Sequence, residues 1–311
     1  MRRLTTAAVL AALVTVATAC DGNPFAGGGG DGPRFVAEVA TYQVVVDEPT
    51  RFTVGLIGAS GRWVSFGNAT LTFIPPDDVD AEALAPVVAG FLPLPGSPDP
   101  EADPTLTLAS EGRGVYAAQE VTFGHPGFWR VDASVELDGR TETASAAFQV
   151  LPEPIVPAVG EAAPSVDHPT LDDEVDPAIL DSRARDGEPL PDPELHELSI
   201  ADALAANTPA LIVFSTPVYC TSRFCGPITD MVAELAAEYG DRAAFVHVEV
   251  WSDFEGRELN PAADEWIGTD DDRVLEPWVF LVDADGTIIG SWDNIATRGE
   301  LASALEALPA P

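Results

Sequence analysis

Apolar and polar residues alternate along the stretch GFWRVDASVELDG. Trp129, Val131, Ala133, Val135 and Leu137 fall on one side, and Arg130, Asp132, Ser134 and Glu136 on the other. A period of two is that of a half-buried antiparallel strand, and Asp138-Gly139 supplies the hairpin turn after it. The same alternation passes through Phe52, Val54 and Leu56. From about Arg34 to Leu151 the runs are short, Gly and Pro are frequent, and no long helical period occurs. The pattern predicts an all-β region.

Beyond Leu151 the pattern changes twice. Residues 152–196 are first rich in proline (LPEPIVPAVGEAAP) and then in Asp and Glu with few aromatics, the character of a linker. Within it, EAAPSVDHPTL is either free or an extended lead-in lying along the second domain. From 197 to 311 strand and helix patterns alternate. A short helix near SIADALAA precedes the continuous apolar strand LIVF at 211–214. In GPITDMVAELAAEYG, Ile228, Met231, Val232, Leu235, Ala236 and Tyr239 recur every three or four residues, one face of a helix. A strand in AAFVHVEV, a hairpin of WVFLVDA and TIIGSWD turning at Asp285-Gly286, and a helix in RGELASALEAL complete the chain. The expected fold class is therefore two domains. The first is an all-β sandwich of immunoglobulin-like type over 34–151, with no catalytic cluster. The second is an α/β unit over 197–311.

Charge narrows the range of partners. Acidic residues number 51 against 15 basic ones, all arginine, for a net charge of −36. So negative a field opposes nucleic acid and anionic lipid. At the N-terminus, Arg2 and Arg3 precede a charge-free run from Leu4 to Ala19, which ends in the small residues Ala17, Thr18 and Ala19 just before Cys20. The run is short of the roughly 20 residues a spanning helix needs, and its layout is that of an export signal. It resembles a bacterial lipoprotein signal, although Ala17 stands where leucine is commonest. That resemblance implies a signal over 1–20, lipid on Cys20, a membrane anchor and an extracytoplasmic location. The glycine-rich stretch over 21–33 reads as a tether.

After export only Cys220 and Cys225 remain, and exported cysteines generally oxidise. A strand LIVF, a loop STPVYC, the cysteine pair, a helix, a strand and then EPWVFLVDADGTIIGSW resemble the thioredoxin-like fold over roughly the last 115 residues. The whole arrangement is also similar to an actinobacterial group of lipoprotein-like, thioredoxin-domain proteins. The resemblance implies thiol/disulfide exchange by Cys220 and Cys225 on exported protein thiols or disulfides, with an extracytoplasmic or membrane redox partner to reset the pair. It also implies a cis Pro277 facing the cysteines. No cofactor is called for.

The spacing departs from the family. CTSRFC places four residues between the cysteines where thioredoxins place two. Either Cys220 follows the strand as the family's first cysteine and Cys225 resolves, or FCGPI puts Cys225 in the first position, with Ile228 where the second thiol belongs. A thiolate at a helix N-terminus is stabilised by unpaired N–H groups. Arg223 is expected to add to this effect and Asp230 to oppose it. The acid that often lies behind the cysteines has no match in the stretch containing Val213 and Phe214.

Rival chemistries fit less well. A non-catalytic binding module, with the pair as a structural staple contributing about 2–3 kcal/mol, remains open. A Sco-like copper protein would need a histidine where Glu276-Pro277 stands, and a peroxiredoxin a Thr or Ser where Pro217 stands. DADG at 283–286 lacks the glycine and closing glutamate of a calcium loop. His247 reads as an ordinary strand residue. His125, His168 and His196 read as loop residues without a Cys or carboxylate partner at ligand spacing.

Overall fold

The computed structural model describes residues 34–309, apart from 59, 78, 95–96, 98–102, 109–113, 221, 223 and 270–272. The expected signal, Cys20, the tether and Arg223 lie outside the described residues. Among those described, no helix is long and apolar enough to cross a membrane.

The N-terminal part is β-rich, as its alternation requires. Its strands are β1 (Phe35–Val39), β2 (Thr50–Gly58), β3 (Trp63–Ser65), β4 (Asn68–Ile74), β5 (Val87–Pro93), β6 (Thr105–Thr107), β7 (Gly114–Val121), β8 (Gly127–Leu137) and β9 (Arg140–Val150). They pair in the order β6-β3-β2-β7-β5-β4-β8-β9, with β1 on β2. The hydrogen-bonded path is continuous because β5 changes partner along its length. Val87–Gly90 pair with β4, whereas Gly90–Pro93 pair with β7. Strands that switch partners in this way turn the corners of layered β structures.

The β8/β9 hairpin has the expected register, Leu137 opposite Arg140. Asp138 and Gly139 both adopt positive φ, 51° and 72°, as a two-residue turn matched to strand twist demands. All five apolar residues of the alternating β8 face are buried. They close over Phe52, Phe73, Phe123 and Phe148, whose rings meet at centroid distances of 4.7–6.1 Å. Each such pair contributes about 0.5–1.5 kcal/mol beyond area burial.

The C-terminal part is α/β. Its helices are α1 (Pro177–Leu180), α2 (Ile200–Ala205), α3 (Cys225–Tyr239), α4 (Pro261–Ile267) and α5 (Arg298–Ala307). Its strands are β10 (Ala210–Ser215), β11 (Ala244–Glu249), β12 (Trp251–Asp253), β13 (Glu258–Leu259), β14 (Trp278–Val282) and β15 (Ile288–Asp293). Four strands form a sheet in the order β11-β10-β14-β15; β10 runs parallel to β11 and antiparallel to β14. Every residue of β10 is buried, because both faces are covered. Leu211 and Val213 pack with Ile228, Val232 and Leu235 of α3 and Leu301 and Leu305 of α5. Ile212 and Phe214 pack on the other face with Ala263, Trp266 and Ile267 of α4 and with Ile200 of α2. Ser199 and Asp202 form a capping box on α2, and Thr297 and Glu300 one on α5.

The stretch expected as a linker lies against the α/β part. Gly160 N–H donates to the Ile288 carbonyl at 2.8 Å and Ala163 N–H to the Gly286 carbonyl at 2.8 Å. The Pro164 carbonyl accepts from Trp266 Nε1 at 3.2 Å. EAAPSVDHPTL thus proves to be the extended lead-in, and its proline-rich backbone satisfies the edge of the β14/β15 hairpin. His168, 7% exposed, accepts the Ile200 N–H at the start of α2.

Candidate functional site

β10 ends at Ser215, and the loop Thr216–Phe224 leads directly into α3, whose first residue is Cys225. Cys220 and Cys225 are joined as a disulfide, with Sγ atoms 2.17 Å and Cα atoms 6.1 Å apart. The two sulfurs are not equivalent. Cys225 is completely buried, whereas Cys220 is partly exposed and has its Sγ 3.2 Å from Ser222 Oγ. Among the described residues the start of α3 has no side-chain cap and no acidic residue in its first turn, so the positive end of the helix faces the loop. Asp230 is engaged elsewhere, its carboxylate accepting from Arg183 Nη1 at 2.7 Å.

Pro277 follows a cis peptide bond from Glu276, and Glu276 reaches the cysteines. Its Oε2 lies 3.7 Å from Cys225 Sγ. Burial, reinforced by the negative field of Glu249, pushes the Glu276 carboxyl up to about 8, against hydrogen bonds from Thr216 and Trp251. Glu249 is itself buried and raised by that burial. One of its oxygens accepts from the Thr216 hydroxyl, and the other accepts the Ser182 N–H at 2.8 Å. Two carboxyl groups therefore stand behind the loop. The stretch containing Val213 and Phe214 is apolar and buried, and the carboxyl that reaches the cysteines belongs to the residue before Pro277.

No protein-family model matches the chain, and a search of curated proteins finds no significant similarity. The chemistry open to the site rests on its own residues.

A polar network lies under the loop. The Thr229 hydroxyl donates to the Cys225 carbonyl at 2.9 Å; Ser215 Oγ lies 2.6 Å from Thr229 Oγ1 and 3.0 Å from His247 Nε2. On the far side of the His247 ring, Nδ1 is 3.4 Å from Asp181 Oδ2, and His196 Nε2 is 3.8 Å from the same oxygen. Burial would lower the His247 imidazole, but Asp181 carries it above its ordinary value; burial dominates at His196 and lowers it. Burial opposes ionisation of Asp181, yet the facing His196 and His247 imidazoles and the Arg183 guanidinium hold it well below the carboxylate range. His196 and His247, read from sequence as a loop residue and an ordinary strand residue, thus share a buried carboxylate that linear spacing did not reveal. The available signal was FVHVEV, in which His247 and Glu249 occupy one face of an otherwise apolar buried strand.

The β-rich part also touches the site. Tyr42 Oη lies 2.5 Å from the Glu276 carbonyl and 3.0 Å from Asn294 Oδ1, and its ring centroid is 6.1 Å from that of Trp278. Arg51 pairs with Glu300 at 2.9 Å and lies 3.8 Å from Asp293. Two groups of potential metal donors emerge among the described residues: Cys220, Cys225 and Glu276, and Asp181, His196 and His247. The first joins two soft sulfurs to a hard carboxylate where a copper carrier would place a histidine, a poor set for Cu(I).

Proposed function

We propose that this protein is an extracytoplasmic thiol/disulfide oxidoreductase. In this reading a thioredoxin-like domain is presented by an immunoglobulin-like sandwich and anchored through lipid on Cys20. The observation that carries it is the asymmetric pair itself: an accessible Cys220 bonded to a buried Cys225 at a helix N-terminus, with a proton-accepting carboxyl 3.7 Å from the buried sulfur. The order β10-α3-β11, then β14-β15-α5 with cis Pro277 before β14, supports the thioredoxin-like reading.

In the reducing direction the Cys220 thiolate attacks one sulfur of a substrate disulfide. One substrate thiolate leaves and a mixed disulfide forms. The Cys225 thiol passes its proton to the Glu276 carboxylate, and its sulfur attacks Cys220 Sγ. The second substrate thiolate leaves, and the substrate has gained the two electrons that the cysteines lost. A Glu276 pKa near 8 is close to that of an ordinary thiol, about 8.5, so the transfer between them is nearly thermoneutral. Oxidation of substrate thiols is the same sequence reversed, and a redox partner resets the pair.

Catalytic reduction of insulin by dithiothreitol tests this reading. Acceleration that is lost in Cys220→Ser supports it. A folded protein that gives no acceleration leaves the pair as a staple of a binding module.

A further inference from the structure

Three donors from three separate segments converge beneath the cysteine loop. Asp181 follows α1 and caps the 3-10 turn Ser182–Gly187, His196 ends the 3-10 turn Pro193–His196, and His247 lies in β11. They are 0%, 2% and 1% exposed. His196 Nε2 and His247 Nδ1 are buried and have no hydrogen-bond partner among the described residues, although both face Asp181 Oδ2.

The hydrogen inventory of His247 decides what its Nδ1 presents. The Cys225 carbonyl can only accept, so the Thr229 hydroxyl donates to it and must itself accept from Ser215. With its proton spent, Ser215 Oγ accepts from His247 Nε2 at 3.0 Å, as does the Ser215 carbonyl at 3.1 Å. Nε2 therefore carries a hydrogen, and Nδ1 is left without a hydrogen-bond partner among the described residues, 3.4 Å from a carboxylate oxygen. A proton on Nδ1 would draw that contact in to hydrogen-bond length, whereas a bridging cation would hold it open. A backbone carbonyl holding the far N–H is also the arrangement that orients metal-binding imidazoles.

The distances agree with a bridging ion. Separations of 3.4 and 3.8 Å exceed the roughly 2.7–2.9 Å of a charge-assisted N–H···O bond. They lie near the roughly 3.3 Å between two donors held tetrahedrally at about 2.0–2.1 Å from Zn2+. Arg183 pairs with Asp181 at 2.7 Å, Asp192 at 2.9 Å and Asp230 at 2.7 Å. Arg183 also holds the Asp181 carboxylate in place through Nε and Nη2.

We propose that Asp181, His196 and His247 form a binding site for a divalent transition metal of the Zn2+ class, buried under the redox loop. Two imidazole nitrogens and one carboxylate suit Zn2+ better than Ca2+ or Mg2+, which take oxygen ligands. The ion would tie the segment 177–196 to β11 and, through Ser215 and Thr229, bear on the Cys225 carbonyl.

The test is a titration of the EDTA-treated, fully oxidised full-length chain with Zn2+ against a chromophoric chelator. Oxidation removes the cysteines as ligands. The expected result is one tight equivalent above the weak multi-site uptake of an acidic surface, with affinity falling at least about 100-fold in His196→Gln and in His247→Gln. Should His247→Gln fail to fold, His196→Gln and the visible absorption of the Co2+-loaded wild type carry the test. The proposal is overturned if no tight equivalent binds, or if one binds and survives substitution of His196 in a folded protein.

Discussion

Glu276 Oε2 stands 3.7 Å from Cys225 Sγ, on the residue that enters the cis bond to Pro277. In the disulfide the buried sulfur has no proton; once reduced, its thiol would face the raised, partly buried carboxyl as donor to acceptor.

If Glu276 takes the Cys225 proton, resolution of a Cys220 mixed disulfide accelerates as pH rises through about 8, where the carboxyl ionises. Glu276→Gln leaves only the limb set by the thiol's own ionisation and slows resolution below pH 8 by about 10²-fold. Stopped-flow resolution of a fluorescent mixed disulfide between pH 6 and 10 measures both. A profile unchanged by the substitution excludes Glu276 from the step.

The same group sets a stability difference with a definite sign. A carboxyl raised to about 8 in the fold binds a proton more tightly there than in the unfolded chain. Its favourable contribution is therefore complete below the ordinary carboxylate range and is lost as pH rises towards 8. Glu276→Gln, which mimics the protonated form, should come closest to the wild type in thermal melts near pH 4. At pH 8.5 it should melt higher, by about 2–4 °C for each kcal/mol gained.

Exposure predicts an order of reactivity. In the reduced protein, Cys220 should be alkylated by iodoacetamide at least about 10-fold faster than Cys225, which is completely buried. Peptide mapping after timed quenching reads the ratio, and equal rates, or a faster Cys225, would assign the attacking role to the helix-terminal thiol.

The β-rich part braces the α/β part through Arg51, whose side chain is 13% exposed and lies between Asp293 and Glu300. Burial raises the Asp293 carboxyl while Arg51 lowers it. Arg51→Ala strands that carboxylate and should cost about 2–3 kcal/mol in urea unfolding; a loss under 0.5 kcal/mol, about the scatter of surface changes, would mean that the contact does not couple the two parts.

Much of this architecture is legible in the sequence wherever a period runs long enough. The alternation from Trp129 to Leu137 and the α3 face from Ile228 to Leu235 lie where the pattern puts them, and the Asp138-Gly139 turn has the positive φ values its residues favour. The elements without a sequence signal are short. α4 spans only Pro261–Ile267, too few turns for a 3.6 period to register, and β13 is the pair Glu258–Leu259.

The site is half legible. The bonding of Cys220 to Cys225 and the cis bond before Pro277 are where residue type and neighbours put them, whereas nothing next to Glu276 in the chain marks it as a carboxyl that reaches the pair. Asp181, His196 and His247 are invisible as a group, since only folding of the acidic stretch onto β11 brings them within 4.8 Å. Composition marks that stretch as a linker, but its backbone hydrogen bonds and buried Leu180, Ala184 and Leu195 hold it in place.

Trapping tests the central claim most directly. In Cys225→Ser the exposed thiol at 220 has no resolving partner, so an exchanging domain accumulates mixed disulfides with exported proteins. Non-reducing gels of cells expressing the full-length variant should show adducts that dithiothreitol dissolves and that disappear in the Cys220→Ser, Cys225→Ser double variant. A folded, exported Cys225→Ser protein that forms no adducts while its Cys220 thiol still reacts with iodoacetamide would contradict the account.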